Sequence, residues 1–134
     1  MEIVQRDNLI ARCAALDTII QARLSALRDT YECVGDIRGR GSYWMLDIVS
    51  DKDSKQPDFT MAERIRYNAA SKGALFICVK NFVRFVPPSI ISDAELDDVL
   101  GRLEEAIKLA QAGYPKNVEV SQSSSLAASE HLQR

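Results

Sequence analysis

A stripe of apolar residues runs through the first part of the chain: Leu9, Cys13, Leu16, Ile20, Leu24, Leu27 and Tyr31, in steps of four, three, four, four, three and four. Steps of three and four put these side chains on one face of an α-helix, with Arg12, Asp17, Arg23 and Arg28 elsewhere on its surface. Such a helix is long for a 134-residue chain, and its stripe has to be buried against something. Nothing N-terminal to it supplies that surface. The expectation is therefore a stripe left partly uncovered, prone to self-association or to binding a hydrophobic dye.

The pattern then changes. Gly35, Gly39 and Gly41 fall within seven residues, marking a segment that turns or approaches other backbone closely. Tyr43 to Val49 is rich in aromatic and apolar residues and reads as a strand, and 51–58 is a polar loop. Thr60-Met61-Ala62-Glu63 has the spacing of a capping box, and the helix it opens carries Ala62, Ile65 and Ala69 inward before Gly73 ends it. Ala74 to Val79 and Phe82 to Val86 read as two strands of a hairpin turning at Lys80-Asn81, the second ended by Pro87-Pro88, which cannot donate to a ladder. Ser92-Asp93-Ala94-Glu95 is a second capping box, opening a helix with Leu96, Val99, Leu100, Leu103, Ile107 and Ala110 on one face. The expected order is α-β-α-β-β-α. That is an α/β (α+β) unit with a mostly antiparallel sheet of about three strands and helices on one face. The expected divisions are a long connecting helix over 1–32, the α/β domain over 33–113 and a serine-rich, disordered tail over 114–134.

Composition narrows the function classes. A net charge of −2, with Lys and Arg spread along the chain, gives no basic stripe for nucleic acid or an anionic membrane surface. No apolar run approaches the roughly 20 residues of a bilayer span. Cys13, Cys33 and Cys78 lack metal-ligand spacing and read as reduced, buried thiols of a cytoplasmic or mitochondrial-matrix protein. The one histidine, His131, lies in the polar tail, which leaves no histidine-based metal site or triad.

Three patches together resemble one family. Val34-Gly35-Asp36-Ile37-Arg38-Gly39-Arg40-Gly41 is similar to the V-G-x-V-R-G-x-G segment of class III pyridoxal-phosphate-dependent aminotransferases. Phe82-Val83-Arg84-Phe85-Val86-Pro87-Pro88 resembles that family's strand end before a Pro-Pro pair, and Ser92 to Leu100 resembles the start of its last helix. Ser71-Lys72-Gly73-Ala74-Leu75 matches the element between them, so the resemblance covers roughly residues 9 to 110. Met45 stands where the family tends to have glycine, Asp47 where it has glutamate, and Ser89 where a leucine follows the prolines.

The resemblance implies the small C-terminal domain of an aminotransferase that moves an amino group from an amino acid or ω-amine to a keto acid. It implies pyridoxal phosphate as cofactor, bonded to a lysine of a large domain, and a homodimeric enzyme acting on amino-acid and keto-acid substrates. Ornithine and 4-aminobutyrate aminotransferases and dialkylglycine decarboxylase are relatives of this kind. One residue receives a role: Arg84, matching an arginine that binds the substrate carboxylate in several members. A planar guanidinium suits that task because it offers two parallel charge-assisted bonds. Without the resemblance, Arg84 would be an ordinary exposed strand arginine.

Other candidates read as structural. Arg38 and Arg40 flank Gly39 and suit a solvated or interdomain position better than a phosphate site. Lys52, Lys55, Lys72, Lys80, Lys108 and Lys116 all lie in polar turns, at helix ends or surfaces, or in the tail, so no catalytic, cofactor-binding or metal-binding residue is assigned. Tyr43 and Trp44 alternate, so one points inward, and Cys78 reads as an inert core thiol. By itself the chain is expected to be inactive. Two other readings stay open: a non-catalytic truncated paralogue acting as a dimerisation partner, and a cofactor-free small-molecule-binding α/β module.

Overall fold

The computed structural model describes residues 8–74, 76–88 and 90–117. Its elements are α1 (Leu9–Thr30), β1 (Val34–Arg40), β2 (Tyr43–Asp51), β3 (Gln56–Pro57), α2 (Phe59–Ser71), β4 (Ile77–Val79), β5 (Phe82–Phe85) and α3 (Asp93–Gln111). The sheet is antiparallel in the order β1-β2-β5-β4, with the two-residue β3 pairing with β2. The α/β class and the helices on one face are as the sequence indicates, but the sheet has five strands rather than three.

The additional long strand is the glycine-rich segment itself. β1 pairs with β2 from Asp36↔Asp47 to Arg40↔Tyr43, with a bulge between Val34 and Asp36. Its glycines are there for space and for the turn. A Cβ on Gly39 would lie 2.5 Å from the Trp44 indole and 2.3 Å from the Tyr43 carbonyl oxygen, so only a hydrogen fits. Gly41 has a φ of 63°, a left-handed conformation that closes the hairpin. That turn is held from two sides: Asp17 of α1 accepts from the Gly41 amide at 2.6 Å, and the Trp44 indole donates to the Gly41 carbonyl at 2.9 Å.

The stripe on α1 finds its partner surface within the chain. Leu16, Ile20 and Leu24 are fully buried and belong to one cluster with Val34, Leu46, Leu100 and Leu103. The expected uncovered stripe is therefore corrected for its central part; Leu9 and Cys13 at its start are half-buried. Polar contacts pin the same interface: Arg23 pairs with Asp97, Tyr31 donates to Glu104 at 2.9 Å, and Arg12 reaches both the Ile91 carbonyl at 2.7 Å and Asp93 at 2.9 Å. Each fully buried leucine or isoleucine contributes about 1.5–3 kcal/mol, so the stripe outweighs these partly exposed ion pairs, which are worth about 0–1 kcal/mol each.

The two capping expectations part ways. Ser92 caps α3 as expected, its hydroxyl accepting from the Glu95 amide at 3.1 Å, while the Glu95 carboxylate accepts from that hydroxyl at 2.8 Å. At α2 the cap is Asp58, whose carboxylate accepts from the Met61 amide at 2.9 Å, so the helix begins before Thr60. A carboxylate at that position also meets the positive end of the helix dipole. The α2 C-terminus behaves as expected, with Gly73 at a φ of 83°. Past α3, Asn68 donates to the Tyr114 carbonyl at 3.0 Å and Arg64 to that of Pro115 at 3.1 Å, so the start of the 114–134 segment is fastened to α2. Residues 118–134 of the expected tail lie outside the described residues.

Candidate functional site

Alternation along the strands gives the sheet two unlike faces. In β2, Trp44, Leu46 and Ile48 are buried under the helices, while Tyr43, Met45 and Asp47 point the other way. In β5, Val83 and Phe85 are buried and Phe82 and Arg84 share the opposite face. Of the aromatic pair, Trp44 is the inward residue, at 3% exposure, and Tyr43 the outward one.

Register assembles the open face into rows. Arg38, Met45, Arg84 and Ile77 form one row across β1, β2, β5 and β4. Asp36, Asp47, Phe82 and Val79 form the next. No described helix covers these rows: Ile77 is 61% exposed, and Tyr43 and Val79 are exposed as well.

Arg84 is the unusual member. Its side chain is half-buried, and its Nε is buried with no hydrogen-bond partner among the described residues. The charges nearest in register have other commitments. Arg38 lies 3.7 Å from the Asp36 carboxylate, and Asp47 accepts from the Asn81 side chain. A buried donor with nothing to bond is costly, at about 1–3 kcal/mol, and such a group suits a site where a ligand completes it. The sequence expectation of a carboxylate-binding arginine falls on this residue, and among the described residues its side chain makes no hydrogen bond or ion pair.

Asn81 was missed as a fixing residue. Read from sequence as turn chemistry, it is 5% exposed and bolts the β4–β5 hairpin onto β2. Its side chain donates to Asp47 and, at 3.0 Å, to the Ile48 carbonyl, while its own carbonyl accepts from the Ile48 amide at 2.9 Å. This fastening sets the register that brings Arg84 opposite Met45. The neighbouring Lys80 takes a φ of 58° as the hairpin closes.

The remaining candidates stand apart from Arg84. Burial pushes the Cys33 and Cys78 thiols up to about 11, so neither offers a thiolate near neutral pH. Arg40 is exposed at the end of β1, beside the hairpin turn. No group of metal-ligating residues occurs among the described residues. No described helix is long and apolar enough to cross a membrane.

Comparison with known proteins decides the family. The aminotransferase class-III model matches residues 1–107. This chain belongs to the class III aminotransferase family. It is 32% identical over 108 residues to an (R)-1-hydroxy-2-aminoethylphosphonate ammonia-lyase of Vibrio splendidus, covering 80% of this chain and 22% of that protein. It is 30% identical over 111 residues to a probable 4-aminobutyrate aminotransferase of Bacillus subtilis, covering 81% and 26%. Among solved structures, a PMP-bound aminotransferase from Vibrio fluvialis superposes with a TM-score of 0.77 at 27% identity, over 83% of this chain and 25% of that one. An ω-aminotransferase from Paracoccus denitrificans gives 0.78 at 26% identity, over 84% and 26%. The chain thus spans about a quarter of the length of the relatives it matches, consistent with a small domain.

The family's cofactor chemistry needs a desolvated lysine, and the lysines of this class III domain do not fit that role. Lys52 donates to the Arg28 carbonyl, Lys72 pairs with Glu105 at 3.1 Å and Lys108 lies 3.9 Å from Glu104. Lys55, Lys80 and Lys116 are exposed. No step through pyridoxal phosphate is assigned to these residues.

Proposed function

We propose that this domain contributes substrate-carboxylate binding to a pyridoxal-phosphate-dependent class III aminotransferase, with Arg84 as the binding residue. The observation carrying the reading is the uncommitted guanidinium on the open sheet face, its Nε buried without a partner. A carboxylate meeting it gains two charge-assisted bonds and a fixed orientation, which lowers the entropic part of the barrier to amino-group transfer. Pyridoxal phosphate, the electron sink for such transfer, would be held by a lysine of a large domain in a homodimeric enzyme. Relatives about four times as long as the matched region support that arrangement.

Kinetics separate recognition from structure. In an enzyme joining this domain to a lysine-bearing large domain, Arg84→Ala should cost on the order of 2–4 kcal/mol in kcat/KM for a carboxylate-bearing amine. Arg84→Lys keeps the charge but not the two-pronged geometry and should recover only part of the loss. A simple amine without a carboxylate should react as before. Equal losses on both substrates would make Arg84 a structural residue.

A further inference from the structure

The row that holds Arg84 is apolar on both sides of it. Met45 lies directly opposite on β2 and Ile77 directly opposite on β4. Opposed residues in antiparallel strands have Cβ atoms about 4.5–5.5 Å apart, within reach of side chains this long. Met45 is half-buried and its sulfur accepts from the Tyr43 hydroxyl at 3.7 Å, which holds the thioether on this face. Ile77 is 61% exposed, and Val79, two residues on, also stands open at 38%. Between these neighbours the Arg84 Nε is shut off from water, which strengthens the guanidinium's pull on an anion. The exposed isoleucine and valine offer area that only an apolar group can usefully cover.

We propose that Met45 and Ile77, flanking Arg84, make this site select carboxylates carried on an extended apolar chain over short or polar ones. The inference rests on the reading of Arg84 as the carboxylate-binding residue and adds the class of carboxylate that it takes. The carboxylate meets the guanidinium while the chain lies along the sheet over Ile77 and Val79.

The test uses this chain with sodium acetate, butanoate, hexanoate and octanoate at fixed ionic strength. Binding is followed through the Arg84 Nε–Hε signal and the Ile77 methyl signals in NMR titrations. A fully buried methylene is worth about fourfold in affinity and one half-covered on an open face about twofold, so affinity should rise about twofold per methylene. Ile77→Ala and Met45→Ala should flatten that rise, weakening octanoate several-fold more than acetate, and Arg84→Gln should remove binding of all four. If acetate and octanoate bind equally, the selectivity is overturned while the Arg84 reading stands. If none of the four moves the Arg84 signal, the selectivity is overturned, and the two-substrate kinetics on the joined enzyme still decide the Arg84 reading. If octanoate binds Arg84→Gln as well as it binds the unaltered chain, it is merely adsorbing to the apolar face, and the selectivity is overturned.

Discussion

Met45 and Leu46 are neighbours in β2, and they belong to different parts of this molecule. Leu46 is fully buried in the cluster that joins the sheet to its helices, while Met45 shares the opposite face with Arg84. The helix-covered face is closed and redundant: apolar side chains from α1, α2 and α3 fill it, and polar ties such as Tyr31 to Glu104 fix its edges. The open face has the contrary character, with an arginine unpaired among the described residues and with exposed Ile77 and Tyr43. One face holds the structure; on the proposed reading of Arg84 the other serves a ligand. Proteins hold unsatisfied groups at functional sites at a cost in stability that packing elsewhere offsets.

The sharpest way to break this contrast is to cut equivalent side chains on the two faces. Leu46→Ala should lower unfolding free energy by about 2–5 kcal/mol, the usual range for a buried leucine. Met45→Ala next to it, at a half-buried position, should cost about 1 kcal/mol or less. Chemical denaturation of both variants checks this, and comparable losses would mean that the open face is as structural as the closed one.

A pH series sharpens the comparison from the closed side. Burial raises the Cys33 thiol from 9.0 to about 11, so the folded state keeps its proton where the unfolded state loses it. That contribution to stability is complete below pH 9 and disappears as pH rises through about 11. It amounts to on the order of 2 kcal/mol. Cys33→Ala should remove this part of the alkaline loss. The rest should persist through Cys78, also raised to about 11 by burial, and Tyr31, raised to about 12 by burial and its bond to Glu104. An unchanged alkaline profile in Cys33→Ala would show that the thiol is not enclosed as described.

Local signals carried most of what the sequence disclosed. The helical stripes, the Ser92–Glu95 capping box and the Lys80-Asn81 hairpin each depend on residues within a turn or two of one another. What was misread depends on distant partners or on competition between neighbours. Gly35 and Gly39 read as a turn or a close approach, and only the distant Val49 and Trp44 side chains show that it is the close approach, within a strand, that demands the missing Cβ. Asp58 and Thr60 both suit an N-cap, and only geometry shows that Asp58 takes it. The partner of α1 was invisible because its contacts, such as Arg23 with Asp97, join residues 74 positions apart. Arg84 was named from its family-like setting. That it has Met45 and Ile77 beside it follows from strand register, which Asn81 fixes and no periodicity announces.

The central claim, that the open face serves a ligand rather than the fold, turns on Arg84. Unfolding of Arg84→Ala by denaturant, without any carboxylate present, tests it most directly. A residue that contributes a buried, unbonded Nε and no ion pair among the described residues should be dispensable to stability. The account predicts an unfolding free energy within about 0.5 kcal/mol of the unaltered chain, or a slight gain. A loss of about 2 kcal/mol or more would contradict it, because Arg84 would then be part of the framework.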